Sequence, residues 1–425
     1  MVLRPGHNDL MSRRPLAVGL AAGVALDALL GDPRRGHPVA AFGRAATALE
    51  ARDYADSRLR GAAHAAACVL AVAAPAALLR RRTRGRPTSE AAAVALAVWA
   101  VTGARSLHNE AERALLALAS HDLPAARRVL PSLCGRDPVG LDTPQLARAV
   151  IESVAENTSD AVVAPLLWGA VAGLPGLAAY RAINTLDAMV GYRSPRYLRF
   201  GWASARLDDV ANWIPARVTA ALTIACAAVV PVVPGPAGQA PVVSGPAGQA
   251  PVVPVPAGQA PVVPVPAGQA PVVPGSEGPA PEAPLPGTSA QGPPAGGRLA
   301  AGPVRRSASA LRAVLRDGGR HPSPNAGRCE AAFAGALGVR LGGTNVYGGV
   351  TEVRPGLGEG RTPEPDDIRR AIRLSRAVTM AATGLAVLIA LTGGGRRTRS
   401  AREPAPRWRP TTARAARTPR RIRPG

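Results

Sequence analysis

The sequence predicts an all-α, polytopic integral membrane protein with polar helical loops and a disordered Pro/Gly repeat linker. Three observations carry that prediction. First, apolar runs recur along the 425 residues at 16–31, 61–79, 90–104, 161–180, 216–233 and 377–392. A bilayer core about 30 Å thick asks for about 20 mostly apolar helical residues, with roughly 17 as a floor. Runs 61–79, 161–180 and 216–233 reach that length, and the other three are marginal. Second, arginine clusters abut several run ends: Arg13-Arg14, "RRRTRGR" at 80–86 and "RRTRSAR" at 396–402. Positively charged cytoplasmic flanks have this look. Third, a ten-residue period from 231, "PVVPGPAGQA", "PVVSGPAGQA", "PVVPVPAGQA", carries no charge and no helical apolar face. Such sequence forms an extended, partly polyproline-II linker.

Composition narrows the function classes. All 51 basic residues are arginine, and the formal net charge is +23. Arginine rises together with Ala, Gly and Pro, which is the mark of GC-rich coding more than of a binding role. No basic segment interleaves aromatics for base stacking, so nucleic acid is not expected as a partner. Cys68, Cys134, Cys226 and Cys329 are widely spaced. They form neither a zinc pattern nor a disulfide framework and read as small buried hydrophobes. "LLGDPRRGHP" follows the first apolar run without a small-residue cleavage site, so that run is not a cleavable signal.

Taken in order, the polar stretches between the runs are the informative ones. "LDALLGDPRRGHPV" at 26–39 sets Asp27 inside an apolar run, where an ionisable group is costly and a functional candidate by default. Asp32-Pro33 and His37-Pro38 end that helix in a rigid turn, and His37 by itself reads as a helix-end residue. "AVIESVAENTSDA" at 149–161 comes next. Arg148, Glu152 and Glu156 fall on one helical face, with Ser153, Asn157 and Asp160 on the neighbouring one. A solvated helix face is the plain reading, with an Arg–Glu pair contributing a few tenths of a kcal/mol, about 0.3. Yet the polar faces stop where "VVAPLLWGAVAGL" begins, which suits a site at the membrane surface.

The stretch 180–218, "YRAINTLDAMVGYRSPRYLRFGWASARLDDVANWIPARV", holds three of the five tyrosines and two of the five tryptophans. Arg206, Asp209 and Trp213 share a face, and Asp208 and Asn212 share the next. Adjacent carboxylates flanked by arginines suit magnesium-bound phosphates, with hard oxygens for the metal and guanidinium forks for the phosphate. An interfacial helix with an aromatic belt and snorkelling arginines fits equally well. "SPNAGRCEAAFAGALGVRLGGTNVYGG" at 323–349 reads as a turn, then an Ala-rich helix with Glu330 near its start. Glycine pairs near 342 and 348 follow, whose amides can approach an anion. With no lysine, a Walker motif is impossible. The chain thus divides into a membrane portion at 1–230, the repeat linker at 231–300, a C-terminal portion at 301–395 and an arginine-rich disordered tail at 396–425.

In their order along the chain, "GDPRRGHPV", "IESVAENTSDAVVAPL", "AINTLDAMVGYRSPRY", "FGWASARLDDVANWIPAR" and "SPNAGRCEAAFAGALGVRLGG" resemble the CobD/CbiB family of cobalamin biosynthesis, the adenosylcobinamide-phosphate synthases. The resemblance covers about 16–230 and 305–395. The linker and tail have no counterpart in the family pattern. Arg328 stands where the family motif usually has an aromatic, and "TNVYGG" departs from the usual end of the last motif. The resemblance implies a multi-pass enzyme of the cytoplasmic membrane, in contact with membrane lipid. It joins the free carboxylate of adenosylcobyric acid to the amine of aminopropanol phosphate, or of aminopropanol. ATP and Mg2+ are the expected cofactors, and a phosphorylated carboxylate is the expected acyl donor.

Roles on these positions follow from that chemistry. Asp208 and Asp209, with Asp32, are the metal candidates. Arg206 and Arg217 are assigned to phosphate. His37, Asn184 and Asn325 are assigned to substrate. Glu152 or Glu156 accepts the amine proton, with Asn157 orienting the substrate. A corrinoid transporter is a rival reading, as is a membrane scaffold built around the linker. The transporter predicts repeated halves with interrupted helices, and the chain has no such internal similarity. The scaffold leaves the polar stretches unexplained. Strict alternation of spans puts loops 105–160 and 181–215 on opposite faces. One site therefore needs either a break in 161–180 at Gly173-Leu174-Pro175-Gly176 or a marginal run that does not cross.

Overall fold

The computed structural model describes residues 14–32, 36–229, 302–347 and 350–392. The repeat linker at 231–300 and the tail at 396–425 lie outside the described residues. Five helices lead: α1 (Arg14–Leu30), α2 (Pro38–Asp53), α3 (Arg58–Thr83), α4 (Pro87–Val101) and α5 (Ala104–Ala119). A short α6 (Leu123–Val129) precedes α7 (Thr143–Thr158). An Asp142–Gln145 capping box starts α7: each side chain takes the other's backbone N–H, at 2.8 and 2.9 Å. The chain then passes through a π turn, Ser159–Val163, into α8 (Ala164–Ala172) and α9 (Leu174–Val190). After α10 (Tyr197–Phe200) come α11 (Trp202–Ala211) and α12 (Trp213–Val229). The C-terminal portion supplies α13 (Pro303–Asp317), α14 (Ala326–Leu337), the strands β1 (Leu341–Tyr347) and β2 (Val350–Leu357), and the long α15 (Pro365–Thr392).

Helices carry the fold, as expected, and an antiparallel hairpin is added to them. The sequence reads 341–349 as glycine-rich turns; β1 instead pairs with β2 in the register Asn345↔Glu352, with an irregularity between Leu341 and Gly343. Gly342 and Gly343 take φ +81° and +101° there, and a Cβ on Gly342 would run into the Pro355 carbonyl. Glycine is therefore required at this bulge.

Among the described residues, three helical segments are long and apolar enough to cross a membrane: α3, the stretch Pro87–Ala119 and α15. The pair α11–α12, bent by 43° at Asn212, makes a fourth if it counts as one span. Run 161–180, long enough for a span, is broken within Gly173-Leu174-Pro175-Gly176, the first of the two alternatives that the sequence leaves open. Its helix breaks at Gly173, φ +69°, leaving α8 with only 9 residues. At 1.5 Å per residue that is about 14 Å, half a bilayer core. The break is built in. Arg80 of α3, from the "RRRTRGR" cluster, donates to the Ala172 carbonyl at 3.0 Å. Gly176 lies so close to the Trp168 carbonyl that a Cβ would clash. Conversely, marginal run 377–392 forms the apolar end of the 28-residue α15.

Two apolar cores share α15. Its first half, through Ile368, Ala371, Ile372 and Leu374, packs with α5, α7, α14 and the hairpin. Its second half, through Val378, Ala382 and Ala386, packs with α1, α4 and α8. The four cysteines are free, as their spacing predicts. Asp27 is buried, and its Oδ2 accepts the Arg105 backbone N–H at 3.2 Å near the start of α5. A carboxylate at a helix N-terminus faces the positive end of the helix dipole, which explains its tolerance there.

Candidate active site

The π turn, the bend at Asn212 and the start of α14 meet around a cavity of ≈ 190 Å³. Its wall holds Glu156 from α7, Ser159 and Asp160 from the π turn, Asp187 from α9, Asp208, Asp209 and Asn212 around the bend, and Ser323, Asn325 and Cys329 at α14. Five carboxylates therefore face one small space, and among the described residues no basic side chain lines it. The local backbone explains the convergence. A π turn adds a residue to the helical repeat, and here Ser159 and Asp160 both face the cavity that Glu156 faces. At the bend, Asn212 donates its amide to both oxygens of Asp208, at 3.0 Å each. Asn184 donates to Asp208 Oδ1 at 3.3 Å and to Asp160 Oδ2 at 3.4 Å. Tyr180 donates to the Asn212 amide oxygen at 2.8 Å, which fixes which way that amide points. Asn325 donates to the Asp209 carbonyl at 2.8 Å and leaves its own Oδ1, buried and without a hydrogen-bond partner, at the cavity wall.

The electrostatics match this lining. Burial pushes the Glu156 carboxyl above its ordinary range; Asp208 and Glu152 add to the shift, and Arg354 and Arg136 oppose it. Asp160 is raised well above its usual value by burial, then by Asp208, Glu156 and Asp187. Behind the wall, Glu330 is 1% exposed and neither of its oxygens has a hydrogen-bond partner. Burial, then Glu152 and Glu156, raises its carboxyl well above the ordinary range. Next to it, His321 is pushed down to about 4 by burial and by Arg354. So many like charges in a poorly solvated space call for protonation or for a cationic occupant.

The residues expected from sequence separate into groups. Glu156, Asp208, Asp209 and Asn325 line the cavity, and Asn184 braces it. Glu152 does not line it. Glu152 is ion-paired to buried Arg136 and accepts the Gly342 N–H at 2.7 Å, so both of its oxygens are engaged beneath the hairpin. Of the two glutamates considered as base, only Glu156 faces open space. The Gly342 amide does meet an anion, as its glycine context suggested, but the anion is this internal carboxylate. Asn157 turns back to Ser153, donating to its carbonyl at 3.0 Å and its hydroxyl at 3.1 Å. Arg206 is exposed and reaches Asp209 at 3.5 Å. Arg217 lies over the Trp213 ring, 3.9 Å from its centre. Asp32 and His37 stand 4.0 Å apart, outside the lining. Their link to it is Arg181, which feels the charge of both Asp32 and Asp160.

Ser159, Asp160, Asp187, Asn212, Ser323 and Cys329 are the polar lining residues given no role from sequence. Asp187 lies three residues after Asn184 on one helical face, beside an apolar run, and that spacing was the available signal. Asp160 stands four residues after Glu156 in the same polar stretch. Nothing local announces the π turn that brings it inward.

Among the described residues, no three His, Cys, Asp or Glu side chains converge on a ready metal site. The expected trio Asp208, Asp209 and Asp32 is not brought together. The donor set still fits magnesium. That ion keeps several waters and binds through one or two carboxylates plus substrate phosphates, not through an all-protein cage. Asp208, held by two amides at the wall, is such a carboxylate.

The family model for CobD/Cbib protein matches residues 20–375. The cobalamin biosynthesis protein CobD of Mycobacterium tuberculosis H37Rv is 46% identical over 375 residues, covering 88% of this chain and 95% of that protein. The CobD protein of Geobacter metallireducens is 40% identical over 355 residues, covering 82% and 87%. That of Rhodobacter capsulatus is 36% identical over 297 residues, covering 69% and 68%. No solved structure matches the chain.

Proposed function

The chain belongs to the CobD/Cbib family, and we propose that it is the amide-forming ligase of cobalamin biosynthesis, working at the cell membrane as a multi-pass protein. It joins the free propionate carboxylate of adenosylcobyric acid to the amine of aminopropanol, phosphorylated or free, with ATP as co-substrate and magnesium as cofactor. The observation that carries this reading is the cavity of acceptors without a basic side chain. An alkylammonium offers three N–H donors and one positive charge, and this lining supplies their complement.

The amine must lose a proton before its nitrogen can attack. Glu156 is the cavity glutamate without an ion pair among the described residues, and burial raises its proton affinity. A base poised closer to neutral pH is better matched to this task. Asn184 and Asn212 hold Asp208 in place, and Asn325 presents its free oxygen to the ammonium. ATP supplies the activating phosphoryl group, and magnesium, when bound, neutralises phosphate charge. Asp208 and Asp209 would hold the metal, and Arg206 at the rim would face the phosphates. The ammonium's first proton passes to Glu156; the nitrogen lone pair then forms the C–N bond, the bond from the acyl carbon to the phosphorylated oxygen breaks, and inorganic phosphate departs with the nitrogen's second proton.

The test is amide formation by the purified protein in detergent. Adenosylcobyric acid, ATP, magnesium and either amine are supplied, and the corrinoid amide is read by mass spectrometry. Amide that appears only with ATP supports the reading. Protein that is folded and binds both substrates yet yields no amide overturns it, and would favour the corrinoid transporter.

A further inference from the structure

The two apolar cores meet at a seam, and two helices meet that seam differently. α15 passes through it: its first half packs in the core with α5, α7 and α14, and its second half in the core with α1, α4 and α8. α12 instead runs along it. Ala220, Ile224 and Ala227 pack in the first core, Val218 and Leu222 in the second, and Cys226 in both. A helix that crossed the seam would trade one core for the other along its length, as α15 does. The second core holds α4 and the apolar end of α15, both parts of membrane-crossing segments. This sets the seam at the membrane surface, with α12 in its plane. The outward face of α12, made by Ile214, Ala221, Ala225 and Val229, is apolar and exposed.

α13 extends that face. The Ser307 hydroxyl donates to the Ile224 carbonyl at 2.7 Å, and Arg306 Nε donates to the Ala227 carbonyl at 3.0 Å, which fixes α13 beside α12. Ala310, Ala313 and Val314 of α13 are buried in the first core. On its opposite face Val304, Leu311 and Leu315 form a stripe at helical spacing, 80%, 45% and 75% exposed. Ser307 borders the stripe on the α12 side, and Arg305 and Arg312 border it on the other. Both of these arginines are exposed and make no ion pair among the described residues. An apolar stripe edged by arginine is what a helix lying in a lipid interface presents. Acyl chains complement the stripe, and acidic headgroups complement the arginines. We infer that α13 is an interfacial helix, which seats Val304, Leu311 and Leu315 in the lipid surface and holds acidic headgroups with Arg305 and Arg312. From α13 the chain leads through 318–322 to Ser323 and Asn325 of the cavity wall, so the contact keeps that wall at headgroup level. The inference does not depend on the ligase reading.

The test uses the full chain in nanodiscs of phosphatidylcholine, with or without phosphatidylglycerol. Photoreactive p-benzoylphenylalanine replaces Leu311 or Leu315, and mass spectrometry identifies what light couples to it. Leu70, exposed on α3, serves as the lipid-facing control, and Val353, exposed on β2, as the aqueous one. Leu311 and Leu315 should couple to phospholipid as Leu70 does, and Val353 should not. With both lipids present, phosphatidylglycerol adducts should exceed that lipid's share of the disc by about fivefold, the size of one arginine at an acidic surface. The excess should vanish in the double variant R305Q/R312Q. Coupling of the stripe to a second copy of the chain, or to the repeat linker at 231–300, would overturn the inference. So would an absence of adducts at both positions while Leu70 couples. Phosphatidylglycerol adducts no more frequent than that lipid's share would overturn it as well.

Discussion

Two groups of carboxylates are treated in opposite ways here, three at the hairpin end of the fold and those that line the cavity. Glu152, Asp317 and Asp367 are each matched. Glu152 has Arg136 and the Gly342 amide. Asp317 has Arg316, at 2.6 and 2.8 Å, and the Gly358 amide at 2.9 Å. Asp367, at the start of α15, has Arg361 and Arg370, each at 2.6 Å, and the Glu364 amide. Around the cavity, Glu156, Asp160, Asp187 and Asp208 form no ion pair among the described residues, in a chain with 51 arginines. The proton affinities follow. The Arg316 guanidinium holds Asp317 below the usual carboxylate range, whereas burial holds Glu156 above it. Matched acids serve the fold. Unmatched acids weigh against it and persist where a ligand completes them.

The largest effect expected from that contrast is on stability. Arg136→Met leaves Glu152 beneath the hairpin with only the more distant Arg148, 3.9 Å away, and removing one partner of a buried pair costs about 3–5 kcal/mol. Denaturant unfolding in detergent should show a loss of that order, and a loss below about 1 kcal/mol would place the Glu152 node among surface pairs.

Next comes the cavity. Asp208→Asn should lower amide formation by roughly three decades and respond to raised magnesium, as a metal-shell carboxylate does. Asp209→Asn, already shared with Arg206, should cost about one to two decades. Equal losses, or near-normal rates in Asp208→Asn, would make the pair an ordinary polar helix face.

Much of this contrast is legible in the chain before folding, and the missing part is the tertiary part. Glu156, Asp208, Asp209 and Asn325 each stand in one of the polar stretches that the sequence marks between the apolar runs. Glu152 has the same spacing and the same motif as Glu156. What separates the two is Arg136, 16 residues upstream, and Gly342, 190 residues downstream, and no local pattern encodes either contact. The hairpin hides for a similar reason, because its bulge glycines read as turns until β2 is present to pair. Likewise, the break in run 161–180 is visible as Gly173 and Pro175, but Arg80, which caps it, comes from another helix.

A smaller effect concerns pH. Glu156 acts as a base only when ionised, and its proton affinity is raised by burial, by Asp208 and by Glu152, against Arg354 and Arg136. The rate should therefore begin to fall on acidification above the ordinary glutamate range near ~4.3. Stability should not fall in that same window. A raised folded-state value means that protonation favours the native state, so its contribution is lost as pH rises, not as it falls. Asp317 runs the other way, and its contribution fades only as pH drops through its depressed value. A rate and a stability that decline together between these ranges would show one kind of acid, not two.

The smallest effect belongs to the linker. Deleting 236–295 removes Pro/Gly repeats with no capacity to pack, and corrinoid amidation in a strain lacking its own synthase should persist. Complete loss in a deletion protein that inserts at normal levels would give the linker a role in the chemistry.

One pair of isosteric variants, Glu152→Gln and Glu156→Gln, tests the two-setting account most directly. The two residues share a helix, lie one turn apart and differ only in what surrounds them. Unfolding stability and amide formation would be measured on the same detergent preparations. Glu152→Gln should lose stability by a few kcal/mol, about 3, as Arg136 is left without its counter-charge. Glu156→Gln should keep or gain stability while amide formation falls by about two to four decades. If Glu156→Gln unfolds as readily as Glu152→Gln, or makes amide at the unaltered rate, the cavity acids are structural and the account is wrong.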